Sequence, residues 1–379
     1  MKYNELILKV SSCCNLNCDY CYVFNQGDTS YKKEPSLLDK RFIPLIIHRI
    51  EEHCLEHHIN KFFVVFHGGE PLMHQKTFYE EFVHTANNIQ SKIEFEYGVQ
   101  TNATLLTQEW IDLFKRLNIH IGVSIDGPQE ASIHRVLRKN GYPAYDQIIR
   151  GIELIKKNDL PLCTLSVINT EYPTNYIYKY IKDLKVGFAD FLFPDVTYNH
   201  TVDNNKIANW LIKLFDCWYE DNCPKPKIRY FELIIKLLMG ADLGFEALGQ
   251  HENRTLCIKT NGDIDLVDSL KICGDGFTHT GMNVEFNTLD ETFEHKILHD
   301  YYYSHSESVL CSQCNCCVVR NICGGGKYPH RYSSTNGFDN PSVYCKSIKS
   351  LLVHIQNRLF NDLPSIATKC NVNRLNKIV

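Results

Sequence analysis

The chain has 379 residues, long enough to bury a substantial core and to form one large domain with a smaller one. Its formal net charge is -4, with acidic and basic residues mixed along the sequence, which gives no footprint for nucleic acid or an anionic membrane. No apolar stretch reaches the ~18 residues of a membrane span, and no signal segment precedes the first strand, so we expect a cytoplasmic protein. Seventeen cysteines are too many for an ordinary cytosolic enzyme, and because a reducing compartment disfavours disulfides, metal ligation explains them better.

The first motif follows an apolar strand predicted over residues 6–10. Cys14, Cys18 and Cys21 stand in the spacing C-x3-C-x2-C. A four-iron cluster takes one thiolate per iron, so three close cysteines leave one iron free to bind a substrate or cofactor. The spacing by itself also permits a zinc site, or one thiol pair with an unrelated neighbour. Cys13 does not fit the spacing, and we treat it as a bystander.

Helical and strand patterns alternate after this loop. Predicted helices cover residues 37–55, 75–90, 108–117, 144–157 and 174–184, and predicted strands cover 61–66, 93–100, 119–125, 162–168 and 187–193. With the first strand, this makes six strands, each followed by a helix. The pattern predicts an α/β fold, a partial (β/α)6 TIM-type barrel, which carries its functional residues at the C-terminal strand ends.

Unusual residues stand at those strand ends. Strand two runs into Gly68, Gly69 and Glu70, where the glycines allow a ligand to approach the backbone and the carboxylate can accept from an ammonium group. A plain turn is the alternative. Asp195, after strand six, should face the cavity, where it could hold substrate or take a proton, or else cap the next segment.

The C-terminal part is organised by cysteines. Predicted helices over residues 204–220 and 229–239 flank a proline-punctuated linker that begins at Cys223, which we take as a domain boundary. A hairpin is predicted between Cys257 and Cys273, and an amphipathic helix over 347–363. Zinc ribbon and iron–sulfur site both explain the cysteine spacing in between. The cysteines concerned are Cys311, Cys314, Cys317, Cys323 and Cys345.

The N-terminal loop resembles the cluster-binding loop of the radical S-adenosylmethionine (radical SAM) enzymes, C-x3-C-x-aromatic-C. By this resemblance, the open iron would chelate the amino and carboxylate groups of SAM, and the reduced 4Fe-4S cluster would cleave SAM to a 5'-deoxyadenosyl radical. The glycine-rich turn resembles the GGE motif of that family. The implied SAM-binding residues are Tyr20 and Val167 near the adenine, Gly68, Gly69 and Glu70 at the amino group, and Ser124 and Arg135 at the ribose and carboxylate. Turn chemistry for Ser124 and a solvated surface charge for Arg135 are the alternatives.

The C-terminal cysteines resemble the auxiliary-cluster domain called SPASM. Four of them match the ligands of its second auxiliary cluster, namely Cys314, Cys317, Cys323 and Cys345. The fullest pattern has four cysteines at the first auxiliary cluster, of which Cys257 and Cys273 match two, while His251 and Lys327 stand at the other positions. We therefore predict ligation by Cys257, Cys273 and Cys311, with the fourth iron open or held by a non-cysteine group. Cys316 is the weaker candidate.

These resemblances imply a domain plan and an activity. The plan is a radical SAM partial barrel (1–224), a bridging helical segment (225–248), a SPASM domain (249–346), and a C-terminal helix and tail (347–379). The segments 323–332 and 337–345 resemble maturases that cross-link ribosomally made precursor peptides, particularly those forming cyclophanes. The implied enzyme takes a hydrogen from a side-chain carbon, joins that carbon to an aromatic ring, and receives electrons from a small redox protein. Asp195 is the candidate catalytic residue.

Three alternatives remain. An anaerobic sulfatase maturase, which generates formylglycine, shares the domain plan. A thioether-forming peptide maturase is the second alternative. The sulfatase maturases have an aspartate directly after an auxiliary-cluster cysteine to take the substrate proton, whereas this sequence has Gly274 there and Asp275 one position later. A zinc-stabilised binding module without catalysis would have no use for the GGE turn.

Overall fold

A computed structural model gives the fold and describes residues 1–221 and 224–362. The strands are β1 (Glu5–Ser11), β2 (Lys61–Gly68), β3 (Glu94–Thr101), β4 (Ile119–Ser124), β5 (Cys163–Val167), β6 (Phe188–Leu192), β7 (Lys227–Ile228), β8 (Gly244–Phe245), β9 (Leu248–Gly249), β10 (Thr255–Ile258), β11 (Asp263–Asp265) and β12 (Met282–Asn283). The helices are α1 (Phe42–Glu56), α2 (Lys76–Asn87), α3 (Gln108–Leu117), α4 (Tyr145–Lys157), α5 (Thr174–Asp183), α6 (Asn204–Glu220), α7 (Arg229–Leu238), α8 (Lys296–Tyr302), α9 (Ser312–Asn315), α10 (Arg320–Cys323) and α11 (Cys345–Asp362).

The first of two compact units comprises Met1–Leu165 and Arg254–Tyr302. Its strands follow the order β12-β11-β10-β1-β2-β3-β4-β5. Each pair from β1 to β5 is parallel, as is β10 with β1, whereas β10, β11 and β12 form an antiparallel extension. The parallel sheet with intervening helices confirms the predicted α/β fold class.

The core of this unit follows from the apolar periodicity of its elements. Along β2, buried residues alternate with more exposed ones, so that Phe62, Val64 and Phe66 all point to the side covered by helices. Phe66 packs edge to face against Phe82 of α2, with ring centroids 5.3 Å apart. Burial of one such ring contributes roughly 1.5–3 kcal/mol. This packing helps to fix the position of β2, which runs into the GGE turn.

The first helix differs from the prediction at its start. Residues 37–55 have helical spacing, but α1 begins only at Phe42. The backbone N–H of Leu38 donates to the carbonyl oxygen of Val10 at 3.0 Å, and Leu37 pairs with Ser11 in an isolated antiparallel bridge. Leu38 is therefore buried as an extended residue beside β1, and its apolar character reflects that burial instead of a helical turn.

The second unit comprises Ser166–Asn253 and the described residues from Tyr303 onward. In it, β6 pairs with β7 in parallel, and α6 packs against both α5 and α11. His354 on α11 lies 2.7 Å from the Asp216 carboxylate on α6, which adds a polar contact to this packing. The predicted C-terminal helix is observed as α11. Cys223 and residues 363–379 of the predicted linker and tail lie outside the described residues.

Among the residues with described structure, no helix combines the length and the apolar character needed to cross a bilayer. The cytoplasmic location and the four functional segments predicted above remain predictions.

Candidate active site

The cysteine loop follows β1 directly and brings three thiols together. The backbone N–H of Cys21 donates to the carbonyl of Cys18 at 3.1 Å, and the N–H of Leu16 donates to the Cys14 sulfur at 3.3 Å. Burial raises the pKa of Cys14 to about 12 and that of Cys18 to about 11, and the neighbouring thiols add to both shifts. A bound cation would therefore be needed to hold these groups as thiolates near neutral pH. Three thiols that lie in one short loop and need a bound cation to ionise fit a four-iron cluster that has one open iron.

Gly68 and Gly69 are required where the GGE turn passes the cysteine loop. A Cβ atom on Gly69 would lie 2.1 Å from the carbonyl oxygen of Cys13, and one on Gly68 would lie 2.2 Å from that of Ser11. The N–H of Glu70 donates to the Cys13 carbonyl at 2.8 Å. The glycines thus allow two backbones to pack closely, and the backbone of Cys13, the predicted bystander, anchors the turn.

Glu70 ties the end of β2 to the end of β3. Its carboxylate accepts from the hydroxyl of Thr101 at 2.6 Å, from the N–H of Asn102 at 2.8 Å and from the N–H of Leu72 at 3.0 Å. Burial raises the pKa of Glu70 to about 7, although these hydrogen bonds oppose the rise. Thr101 and Asn102 were not identified as site residues from sequence, although Thr101 ends β3 and Asn102 directly follows it. Contact between Glu70 and SAM remains a prediction.

Tyr20 and Arg135 meet on a residue that the sequence analysis passed over. The guanidinium of Arg135 binds the Asp126 carboxylate through two hydrogen bonds, of 2.8 and 2.9 Å, and the Tyr20 hydroxyl donates to the same carboxylate. The guanidinium also lies 5.6 Å from the centre of the Tyr20 ring. Arg135 is buried, so the alternative of a solvated surface charge is wrong. The hydrogen bond from Tyr20 to Asp126 joins the cysteine loop to the segment after β4, and Arg135 lowers the pKa of Cys18 against the effect of burial.

The other predicted SAM contacts lie at strand ends. Ser124 is the last residue of β4, and its hydroxyl accepts from the side-chain amide of Gln100 on β3 at 2.8 Å. Val167 is the last residue of β5 and is half-buried. Each residue stands at the C-terminal end of its own strand, and its contact with SAM remains a prediction.

Buried lysines surround the first pair of auxiliary cysteines. Cys257 on β10 and Cys273 are both buried. Lys9 on β1 pairs with Asp268, Lys271 lies 2.6 Å from Asp28, and Lys259 bridges Glu34 and Asp265 at 2.7 and 2.9 Å. Burial raises the pKa of Cys257 to about 11, and Lys9 opposes the rise. This network was not predicted from sequence, because lysine is usually exposed, and the burial of these three lysines follows only from the pairing of the strands.

The second group of auxiliary cysteines shares one cavity. Cys314, Cys317, Cys323 and Cys345 all line a cavity of about 230 Å³. Burial raises the pKa of Cys323 to about 11, and nearby Cys345 adds to the rise, while a hydrogen bond from the Gly325 backbone lowers it. Cys316 lines the same cavity, and the other four cysteines around this space agree with the predicted second auxiliary set. The assignment of the individual ligands remains a prediction.

Arg331 shapes the glycine turn next to Cys323. Its guanidinium is buried and donates to the carbonyls of Gly324, Gly325 and Gly326 at 2.9, 3.1 and 2.7 Å. All three glycines have positive φ, a conformation in which a side chain would be strained. The three glycines therefore allow a turn in which three backbone carbonyl groups face the Arg331 guanidinium.

Asp195 lies in a buried ion pair. One carboxylate oxygen is 2.9 Å from the ammonium of Lys327 and 3.2 Å from Nε2 of His330. Burial raises the pKa of Asp195, but Lys327 and His330 outweigh it and lower the pKa to about 2. A carboxylate with so low a pKa is a weak proton acceptor. The geometry supports a structural role, and a catalytic role for Asp195 remains a prediction.

At two positions where the fullest SPASM pattern has cysteines, this chain has a lysine and a histidine, and each of them lies beside a carboxylate. Lys327 is held by Asp195, and His251 lies 2.9 Å from Asp242. Cys311 packs beside Cys314, whose pKa is raised by burial and by Cys311. Cys311 does not line the cavity shared by the other four cysteines. Ligation of the first auxiliary cluster by Cys311 stays a proposal.

Comparison with known proteins gives the family context for this geometry. The model of the radical SAM superfamily matches residues 8–184. A serine-type anaerobic sulfatase-maturating enzyme of Bacteroides thetaiotaomicron is 27% identical, covering 92% of this chain and 88% of the relative. A cysteine-type enzyme of Clostridium perfringens strain 13 is 26% identical, covering 94% of this chain and 97% of the relative.

Solved structures agree with these relatives. Native anSMEcpe with bound AdoMet superposes with a TM-score of 0.80 at 25% identity, covering 96% of this chain and 99% of that chain. Streptococcus suis SuiB bound to precursor peptide SuiA has a TM-score of 0.60 at 15% identity, covering 91% of this chain and 76% of that chain, and shows the fold alone.

The similarity extends over the cysteine loop, the GGE turn and the cysteine-rich C-terminal region. It confirms the predicted enzyme class and its cofactors, SAM and 4Fe-4S clusters that include auxiliary clusters. It does not single out cyclophane formation, and the alternative of a sulfatase maturase agrees better with the relatives. The chain is therefore a radical SAM enzyme that acts on a peptide or protein, and over most of its length it is similar to the anaerobic sulfatase-maturating enzymes.

Proposed function

We propose that this enzyme oxidises a serine or cysteine side chain of a protein substrate to formylglycine. The observation that carries the proposal is the length of the similarity: sulfatase-maturating relatives match 92–94% of this chain, including its cysteine-rich C-terminal region. A structure of one such protein, anSMEcpe, holds AdoMet and a peptide, Kp18Cys, and covers 95% of this chain at 25% identity. A substrate of the same chemical class is the simplest inference.

The overall chemistry is balanced as a two-electron oxidation. Bound SAM would supply the radical that takes a hydrogen atom from the side-chain carbon, the hydroxyl or thiol would give a proton to a base, and the auxiliary site would take up the remaining electron. Serine then becomes the aldehyde directly. Cysteine becomes a thioaldehyde, which water hydrolyses with release of hydrogen sulfide.

The chain's own residues prepare this reaction by positioning. Glu70 fixes the ends of β2 and β3, and Asp126, which pairs with Arg135, holds the cysteine loop through its hydrogen bond from Tyr20. Glu70, Asp126 and Arg135 are all buried, so these contacts hold the site in a fixed geometry from which water is largely excluded. The SAM-binding roles of Tyr20, Gly68, Gly69, Glu70, Ser124, Arg135 and Val167 form part of the proposal.

Cross-linking of an aromatic precursor peptide is the second candidate, favoured by the environment of Asp275. That carboxylate is exposed, and it accepts from the backbone N–H of Thr29 at 2.6 Å and from the Thr29 hydroxyl at 3.0 Å. The Asp275 carboxylate is therefore bound to Thr29 at the protein surface. Gly274, which stands where the sulfatase maturases have their aspartate, has no side chain that could act as the base. Attack on an aromatic ring needs a weaker base, because the ring regains aromaticity as it loses its proton.

Mass spectrometry separates the two candidates. Formylglycine formation lowers the mass of a cysteine peptide by about 18 Da and of a serine peptide by about 2 Da, and the product reacts with a hydrazide. A cross-linked aromatic peptide also loses about 2 Da, but it does not react with a hydrazide and resists fragmentation between the joined residues. The Cys14/Cys18/Cys21→Ala variant is the control for SAM-dependent chemistry. A cross-linked product with no hydrazide-reactive peptide would overturn formylglycine formation in favour of the second candidate.

A further inference from the structure

A tyrosine on α7 carries a buried hydroxyl group without a hydrogen-bond partner. Tyr230 is 4% exposed, and within the described part of the chain its hydroxyl neither donates nor accepts a hydrogen bond. Nearly all buried polar groups in native proteins are paired, and an unpaired one calls for a partner such as a bound group. The ring is held by Phe193 and Phe245, whose ring centroids lie 5.8 and 6.4 Å away. Packing therefore fixes the position of the hydroxyl.

The place of Tyr230 in the fold relates its hydroxyl to one of the auxiliary cysteines. Helix α7 packs against α10, whose last residue is Cys323. Burial raises the pKa of Tyr230 well above its usual value, and the charges of Cys323 and Asp190 add to the rise. These two groups are therefore the candidate acceptors for the hydroxyl. The Asp190 carboxylate already pairs with Arg229, the preceding residue of α7, which favours a sulfur at Cys323 as the acceptor.

The same site holds a buried cation without a carboxylate. Arg331 is 1% exposed, and its guanidinium donates to the backbone carbonyls of Ser304 and of residues 324–326. No carboxylate among the residues with described structure pairs with it. Burial lowers the pKa of Arg331, and the charges of Cys314 and Cys323 oppose this shift most strongly. Because a buried cation needs a compensating anion, the guanidinium and the unpaired hydroxyl both fit an iron–sulfur cluster held by the second group of auxiliary cysteines.

We propose that the Tyr230 hydroxyl donates a hydrogen bond to a sulfur of the second auxiliary cluster, at or beside Cys323, and raises the reduction potential of that cluster. Hydrogen bonds to the sulfurs are one of the means by which a protein sets this potential, because they stabilise the reduced form, which carries more negative charge. Tyr230 is thus a residue that tunes the cluster without being its ligand. The inference rests on the predicted ligation by Cys323, and it holds whichever peptide product the enzyme makes.

A redox titration of the reconstituted holoenzyme, followed by electron paramagnetic resonance, tests the proposal. The signal of the second auxiliary cluster is the one that is lost or altered in Cys323→Ala. Tyr230→Phe keeps the ring and removes the donor, so reduction of this cluster should become about tenfold less favourable, a shift of about 59 mV to lower potential for one electron. Tyr97→Phe is the matched control: Tyr97 on β3 is also buried with an unpaired hydroxyl, but burial alone raises its pKa. An unchanged potential in Tyr230→Phe, or an equal shift in Tyr97→Phe, would overturn the proposal.

An isotope measurement detects the hydrogen bond itself. A brief transfer of the enzyme into D2O labels hydroxyl groups, which exchange faster than buried backbone N–H groups. Electron–nuclear double resonance on the reduced second auxiliary cluster should then show a deuteron coupling in wild type and in Tyr97→Phe that Tyr230→Phe lacks. If Tyr230→Phe does not assemble the cluster, the wild-type spectrum decides: a coupled deuteron supports the hydrogen bond, and its absence contradicts it. The peptide product is measured separately, so failure of this inference is distinguishable from failure of the proposed function.

Discussion

Substitution of Asp195 by asparagine should destabilise the protein because it leaves Lys327 without its counter-charge. The Lys327 side chain is 17% exposed and that of Asp195 is 9% exposed, so water compensates little of the loss. The pKa of Asp195 is lowered from 3.8 to about 2. At ~1.4 kcal/mol per pKa unit, this depression corresponds to about 2.5 kcal/mol of stability. Removal of one partner of a buried ion pair costs about 3–5 kcal/mol, so we expect a loss of about 3 kcal/mol in the free energy of unfolding.

The pH dependence has a definite sign. Since the pKa of Asp195 is lower in the folded protein, its contribution is present above the ordinary value of 3.8 and disappears as the pH falls toward about 2. Wild type and Asp195→Asn should therefore converge in stability at low pH. Anaerobic urea unfolding followed by circular dichroism measures the difference. Glu171→Gln, which breaks the exposed pair with Lys206, is the matched control and should cost less than about 1 kcal/mol.

A double substitution distinguishes a structural ion pair from a catalytic carboxylate. Asp195→Asn/Lys327→Met removes both charges, and it should recover at least half of the lost stability. A loss below about 0.5 kcal/mol in Asp195→Asn, or no recovery in the double variant, would refute the reasoning. If Asp195→Asn instead stays stable and cleaves SAM but forms no modified peptide, the catalytic role predicted from sequence is supported.

Three further predictions concern the cluster sites. Replacing Cys14, Cys18 and Cys21 by alanine should abolish 5'-deoxyadenosine formation and reduce iron from about 12 to about 8 per chain, since two auxiliary clusters remain; continued SAM cleavage would contradict the assignment. Gly69→Ala should displace the cysteine loop, because its Cβ would lie 2.1 Å from the Cys13 carbonyl oxygen, and about four irons should be lost. Gly141→Ala also adds a Cβ, at a residue of positive φ but with no atom within 4 Å, and it should retain these irons. Cys311→Ala should diminish the iron and the spectrum of the first auxiliary cluster if Cys311 is its ligand; full retention, measured by electron paramagnetic resonance, would end that assignment.

Local sequence determined the elements and the chemistry of single motifs. The strand ends that carry Gly68 and Ser124 were predictable because β-branched and aromatic runs end there in glycine or polar residues. The spacing of Cys14, Cys18 and Cys21 predicted convergent thiols because a loop this short has no room to separate them. The start of α1 was wrong because Leu38 is buried by β1, and burial of an extended residue produces the same apolar signal as a helical turn.

Only the tertiary structure decided which partners the charged residues have. Asp126 joins Arg135 across nine positions of sequence, Asp195 joins Lys327 across 132, and Lys9 joins Asp268 across 259. No local pattern encodes such pairs, because a carboxylate and a cation far apart in sequence interact only once the strands that carry them have been aligned. The same limit applies to Cys311, whose spacing permits either auxiliary cluster and whose position outside the lining of the cavity shared by Cys314, Cys317, Cys323 and Cys345 is known only from the fold. The sequence by itself thus determined the kind of chemistry, and the packing of the strands determined which side chains remain available for it.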